Sequence, residues 1–281
     1  MRALQGIFTA ALAAAIAAGC GGGDAVKVGV VVPLTGDVKT FGESARNGAL
    51  MAIEEANSAG GVNGRPIRAI VTDDKNDPME TSNAGSKLID MDGVVAILGS
   101  VSSKCSVPLS DKCESSGIPM ITPTSTNPKV TVGEDGRRKE FVFRACFIDP
   151  FQGTVAAKFA RDSLGAARAA VMYDVGNDYS KGLAEFFRGA FQERGGRVVA
   201  YESYAKDDVD FSALLTKLKQ QQADVLFIPD YYNKVGLIAR QAREAGVNAY
   251  LLGGDGWDSP EMLKIAGDAI HGGYFTNHYS P

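Results

Sequence analysis

The sequence predicts an α/β protein of two doubly wound parallel-sheet lobes joined by a hinge. Three observations carry that expectation. Short β-branched runs alternate with amphipathic helical stretches, the pattern of βαβ units with right-handed crossovers and a parallel sheet. The alternation falls into two halves of similar size. The 281 residues, 45% hydrophobic and 22% charged, are enough for two cores and too apolar for disorder.

The elements follow in order. VKVGVVVP at 26–33 is a β-branched run closed by Pro, a buried strand. A helix is expected over 41–59, with Ala45, Ala49, Ala52, Ile53 and Ala56 on its apolar side. GGVNG at 60–64 ends it with glycines suited to a left-handed turn. Strand 67–72, helix 79–91, strand 94–98, helix 103–115 and strand 118–121 repeat the cycle. A polar loop over 123–140 and strand 141–144 lead out of the first half. The second half reads helix 151–163, strand 168–173, helix 179–194, strand 197–202, helix 210–221, strand 224–228, helix 232–245 and strand 249–252. Helix 210–221 puts Phe211, Leu214, Leu215 and Leu218 on one face, with Asp210 as its N-cap.

Composition removes several functions. With 29 Lys+Arg against 33 Asp+Glu the net charge is −4, which argues against nucleic-acid binding through a basic face. The only histidines, His271 and His278, lie at the far end, leaving no His-ligated zinc site or Ser-His-Asp triad on the body of the chain. No GxxxxGK[ST], GxSxG or well-placed GxGxxG occurs. Asp73, Asp74 and Asp77 suggest a calcium loop, but Pro78 and Met79 stand where an oxygen ligand and Gly are needed; a solvated turn is expected. Arg137, Arg138 and Lys139 read as a solvated basic turn. Asp230 either reaches the cleft or caps the next helix. No enzyme activity, metal or cofactor is expected.

The first twenty residues, MRALQGIFTAALAAAIAAGC, have one Arg and then an Ala-rich apolar run too short and small-sided for a good membrane span. The end, Ala17-Ala18-Gly19-Cys20, resembles a bacterial lipobox, although Ala17 stands where a larger aliphatic residue is usual. Residues 1–19 are therefore read as a signal peptide and 20–25 as a lipidated Cys20 with its tether. The expected location is extracytoplasmic, with a lipid anchor in the cell membrane. Cys105 and Cys113 lie eight positions apart in one helix, ~12 Å, too far to pair with each other. Either one bonded to Cys146, or buried free thiols throughout, remain open.

Ligands of such sheets sit beyond the carboxyl ends of strands. Four segments there carry chemistry: TGDVKTFG (35–42), GSVSSK (99–104), TPTSTN (122–127) and GGDGWDSP (253–260). The second and third place hydroxyls beside exposed backbone N–H groups, and the second opens a helix, which suits a carboxylate. Asp255 in the fourth suits an ammonium. Together they suit an α-amino acid.

With VGVVVPLTG (28–36), NSAGGVNGRPI (57–67), DDKNDP (73–78), GSVSS (99–103), GIPMITPTSTNP (117–128), DFSALLTKLK (210–219) and RQAREAG (240–246), the chain resembles the branched-chain amino acid binding proteins of ABC transporters, the type I periplasmic-binding-protein or Leu-Ile-Val-binding family. The likeness runs from about 26 to 275. It implies that the ligand carboxylate is held by Ser103, Thr124 and Thr126 and the ammonium by Asp255. Tyr179 and Tyr231 would close over the ligand, with Phe41, Val101, Ser102 and Trp257 at its side chain. Phe41, Ser102 and Trp257 depart from the family pattern, which bears on side-chain preference.

The expected function is that of a solute-binding lipoprotein, a monomer that closes like a Venus flytrap on a branched-chain or similar apolar or aromatic amino acid and delivers it to an ABC permease. An amide, urea or aromatic acid as ligand, or a ligand-sensing ectodomain, are the alternatives. The lobes are expected at 26–145 and 146–275, with 276–281 beginning a third crossover. Family members continue further, so the first lobe is expected to be incomplete without a missing C-terminal segment.

Overall fold

A computed structural model describes residues 25–278. In chain order the elements are β1 Val26–Val32, α1 Lys39–Ser58, β2 Ile67–Asp73, α2 Pro78–Ser86, β3 Ala96–Gly99, α3 Ser103–Ser116, β4 Met120–Thr122 and β5 Val142–Arg144. They continue as α4 Asp149–Asp162, β6 Arg168–Asp174, α5 Asp178–Glu193, β7 Arg197–Tyr204, α6 Ser212–Gln220, β8 Val225–Phe227, α7 Tyr232–Glu244, β9 Tyr250–Gly253, α8 Pro260–Ala266 and β10 Tyr274–Phe275. The strands form two five-stranded sheets, ordered β2-β1-β3-β4-β5 and β7-β6-β8-β9-β10, and every pairing is parallel. The two orders are the same topology used twice.

Period-two alternation explains how each sheet carries helices on both faces. In β8, Val225 and Phe227 face a core with Leu183, Phe187 and Phe191 of α5, whereas Leu226 faces one with Leu215, Val235 and Ile238. In β1, Val31 joins Leu88, Ile97 and Leu109, while Val30 and Val32 pack toward α1. Helix α1 lies over β1 and β2, half-burying Ala45, Ala49, Ile53 and Ala56 but leaving Ala52 exposed. Toward β4 and β5 that face of the sheet is open, with Ile121 and Phe143 37% and 55% exposed.

Local chemistry sets the boundaries. Asp77 caps α2, accepting from the N–H groups of Met79 and Glu80, and α2 runs on as a π-helical turn over Lys87–Asp92. Helix α6 begins two residues later than its periodicity predicts. Phe211 takes the N-cap position and Asp210, one residue earlier, accepts from the N–H of Ser212 at 2.9 Å.

Three expectations are corrected. The acidic stretch is not a solvated turn: Asp74 is fully buried and accepts from the hydroxyl of Ser100, and Asp73 accepts from Leu34 N–H and the Thr35 hydroxyl. Lys139 is buried against Ser110, Asp111 and the Lys129 carbonyl, although Arg137 and Arg138 are exposed. Asp230 neither reaches the cleft nor caps through its side chain alone; it is buried, accepting from Tyr204 Oη at 2.6 Å and the Tyr231 N–H at 2.7 Å. Cys105, Cys113 and Cys146 are free thiols. Residues 1–24, with the signal peptide and Cys20, lie outside the described residues.

The lobes meet closely. Val38 of the first lobe is wholly buried in the core of the second, and Phe41 packs beside it. Thr40 Oγ1 and Ser259 Oγ are 3.2 Å apart, and Asn127 Nδ2 donates to the Asp178 carbonyl at 2.7 Å. Gly42 lets the start of α1 lie against the end of β1: a Cβ there would stand 1.7 Å from the Pro33 carbonyl oxygen. Alanine in a helix ordinarily gains about 1 kcal/mol over glycine. Gly42→Ala is expected to reverse that sign and lower stability by about 2 kcal/mol or more. Urea denaturation giving an unchanged or higher midpoint would contradict it.

Candidate functional site

Because all strands of each sheet are parallel, their carboxyl ends lie along one edge, and the two edges face each other. Between them is a cavity of about 200 Å³ lined by Phe41, Val101, Ser103, Thr124, Thr126, Tyr179, Tyr231 and Asp255, together with Ser44, Gly256, Asp258, Asn277 and His278. Each lobe supplies the loops that follow its first, third and fourth strands, on either side of the point where strand order reverses.

The first-lobe wall is a donor surface. Helix α3 has no side-chain cap at Ser102 and the Cys105 N–H donates to the Ser102 carbonyl at 3.1 Å, so the N–H groups of Ser103 and Lys104 are the ones its end offers to an acceptor. Ser103 Oγ accepts from the Asn127 N–H at 3.2 Å, leaving its own proton to donate. Thr126 Oγ1 is buried with no partner. Thr124 is different: its hydroxyl donates to the Val101 carbonyl at 2.8 Å, so it offers lone pairs. Gly99 admits this loop, since a Cβ there would lie 1.9 Å from the Val31 carbonyl oxygen.

The second-lobe wall is acidic and aromatic. Tyr179 and Tyr231 stack with centroids 5.2 Å apart, and Phe41 meets Tyr231 edge-on at 6.3 Å. Tyr179 Oη accepts from the Gly256 N–H at 3.1 Å. Burial holds both tyrosine hydroxyls well above their usual pKa, so they stay protonated. Asp255 has its N–H on Gln152 Oε1 at 2.8 Å and its Oδ2 2.9 Å from His278 Nε2; its Oδ1 is buried and unpartnered.

Two residues implied for the site stand elsewhere. The Ser102 hydroxyl turns away to Asn76 Oδ1 at 2.6 Å, because the buried Asp74–Asn76 turn needs donors. Trp257 lies in the second-lobe core, its indole N–H on the Ile228 carbonyl at 2.9 Å. Conversely, the sequence reading missed Ser44, Asp258, Asn277 and His278. Ser44 is three residues beyond Phe41 on one helix face, and Asp258 lies in a segment already singled out, so both had a signal. Asn277 and His278 follow β10, a short parallel strand absent from the sequence reading, whose last strand is 249–252. Among the described residues no cluster of His, Cys, Asp and Glu is suited to a metal, and no helix is long and apolar enough to cross a membrane.

Behind the cavity, Asp149 is fully buried with both carboxyl oxygens unpartnered. Burial, with the nearby charge of Asp255, pushes its pKa up to about 8. The folded state therefore binds a proton that the unfolded chain has released, and stability falls as pH rises from about 4 to about 8. Asp149→Asn should remove that loss. The variant's stability relative to the unsubstituted protein is expected to grow by roughly 3–5 kcal/mol across the window, read by urea denaturation at several pH values. Parallel stability curves would refute it.

Comparisons with known proteins agree with this geometry. Residues 25–281 match the family described as Periplasmic binding protein. The chain is 37% identical over 252 residues to Leu/Ile/Val-binding protein homolog 3 of Brucella melitensis, covering 90% of this chain and 67% of that one. It is 35% identical over 269 residues to the leucine-, isoleucine-, valine-, threonine-, and alanine-binding protein of Pseudomonas aeruginosa, covering 96% and 70%. Among solved structures, a leucine binding protein from Thermotoga maritima superposes with a TM-score of 0.85 at 41% identity, covering 91% of this chain and 71% of that one. A branched-chain amino acid transporter substrate binding protein from Streptococcus pneumoniae, in complex with isoleucine, gives 0.81 at 30% identity, covering 89% and 70%. With a match along nearly its whole described length, and the same two-lobed parallel fold, the chain belongs to the periplasmic binding protein family.

Proposed function

We propose that this chain is the extracytoplasmic receptor of an ABC transporter for an apolar α-amino acid, branched-chain or similar. One observation carries the reading: Asp255 lines the cavity with a buried, unpartnered Oδ1, opposite the hydroxyls and helix N-terminus of the first lobe. A zwitterion taken from water needs both charges met, since an unpaired buried ion costs several kcal/mol. Here an ammonium meets Asp255 and Thr124 lone pairs, while a carboxylate meets Ser103, Thr126 and the first turn of α3. Phe41, Val101 and the Tyr179–Tyr231 stack leave an apolar place for the side chain.

Supporting this, the Pseudomonas aeruginosa relative is named for leucine, isoleucine, valine, threonine and alanine, and the Streptococcus pneumoniae relative is in complex with isoleucine. Because each lobe supplies half of the contacts, binding favours the closed arrangement, which a permease can distinguish by shape. A lipid on Cys20 would keep the monomer beside that permease. An anionic aromatic acid without an amine would meet the Asp255 charge unfavourably, and neither it nor a neutral amide uses both walls.

The test is a thermal-shift panel of leucine, isoleucine, valine, phenylalanine, simple amides, urea and benzoate, followed by calorimetry. Apolar L-amino acids are expected to stabilise the protein. Asp255→Ala should keep the unliganded fold and weaken amino-acid binding about 100-fold, the loss of about 2.7 kcal/mol. Amides or benzoate binding where amino acids do not, or unchanged calorimetric affinity in Asp255→Ala, would refute the reading.

A further inference from the structure

His278 stands in the wall of the cavity just past the carboxyl end of β10, and the contacts that hold it there point to a role in the site. The Thr276 N–H donates to the Gly253 carbonyl at 3.2 Å and its hydroxyl to Gln152 Oε1 at 2.6 Å. Asn277 Nδ2 donates to Asp258 Oδ2, and Asn277 Oδ1 accepts from the His278 N–H, each at 2.8 Å. The imidazole lies on the Phe147 ring, centroids 3.9 Å apart, with Nε2 2.9 Å from Asp255 Oδ2. Gln152 ties the two ends of this arrangement together, since its Oε1 also receives the Asp255 N–H.

An ionised carboxylate has only lone pairs to offer, so the Nε2 that meets it carries a proton. With Oδ2 so engaged, Oδ1 is the oxygen left unpartnered. With the amino-acid site read as above, we propose that His278 is a positioning residue of that site: its imidazole N–H holds Asp255 Oδ2 so that Oδ1 is presented to the ligand's ammonium.

The experiment is calorimetric titration of the full chain with leucine. His278→Ala is expected to bind about tenfold more weakly than the unsubstituted protein. His278→Gln, whose amide N–H can donate to Oδ2, is expected to bind within about threefold of it, whereas His278→Leu, which fills the same space without a donor, is expected to be as weak as His278→Ala. A His278→Ala protein that binds as tightly as the unsubstituted one, or a His278→Gln protein that binds no more tightly than His278→Leu, overturns the proposal while the amino-acid site stands. An unsubstituted protein that binds neither leucine nor any other amino acid of the panel overturns the site reading and this role with it.

Discussion

A parallel sheet has all of its carboxyl ends on one edge, and much else in this molecule is a consequence of building two such sheets with one strand order. The loops after β1, β3 and β4 necessarily emerge together, as do those after β6, β8 and β9. When the edges face each other, these six loops and the residues that follow β10 enclose one small volume. The order reverses between β1 and β3 and again between β6 and β8, so neighbouring loops diverge there and leave room for a ligand.

Closure depends on apolar packing across the seam, while the cavity remains polar. Val38 crosses into the core of the second lobe, and Phe41 reaches the aromatic pair Tyr231 and Tyr232 with centroids 6.3 and 5.3 Å away. Within the seam, Thr126 Oγ1, Gln152 Nε2, both Asp149 oxygens and Asp255 Oδ1 are buried without partners. Such groups are costly in a finished core and are rare there. Of these, Thr126 and Asp255 line the cavity, while Asp149 and Gln152 lie behind it.

The supporting layer beneath the cavity is as polar as its lining. Asp74 and Asn76 take the hydroxyl protons of Ser100 and Ser102, and Ser106, Thr122 and Ser125 hydrogen-bond around the Ser100 and Val101 carbonyls. This network holds the loop that opens α3, which is why a run of hydroxyl residues that looks uniform in the sequence divides into those that face the cavity and those that brace it.

The sequence by itself determined the alternation of strands and helices, the parallel class and the strand-end segments from which the site is built, because β-branched runs, 3.6-residue periodicity and caps are local properties. It also pointed to Asp255, an acid in a glycine-rich turn just past a strand. What only the tertiary structure decided was the direction of individual side chains within those segments. Ser102 and Ser103 are adjacent, yet one donates to Asn76 and the other lines the cavity. Trp257 is two residues from Asp255 and belongs to the core. Asp74 and Lys139, charged residues in loops, are buried because partners distant in sequence reach them. His278 takes its place from the parallel pairing of β10 with β9, which brings the residues after it to the cavity edge. Each of these outcomes rests on a contact between residues far apart along the chain, which short-range pattern does not encode.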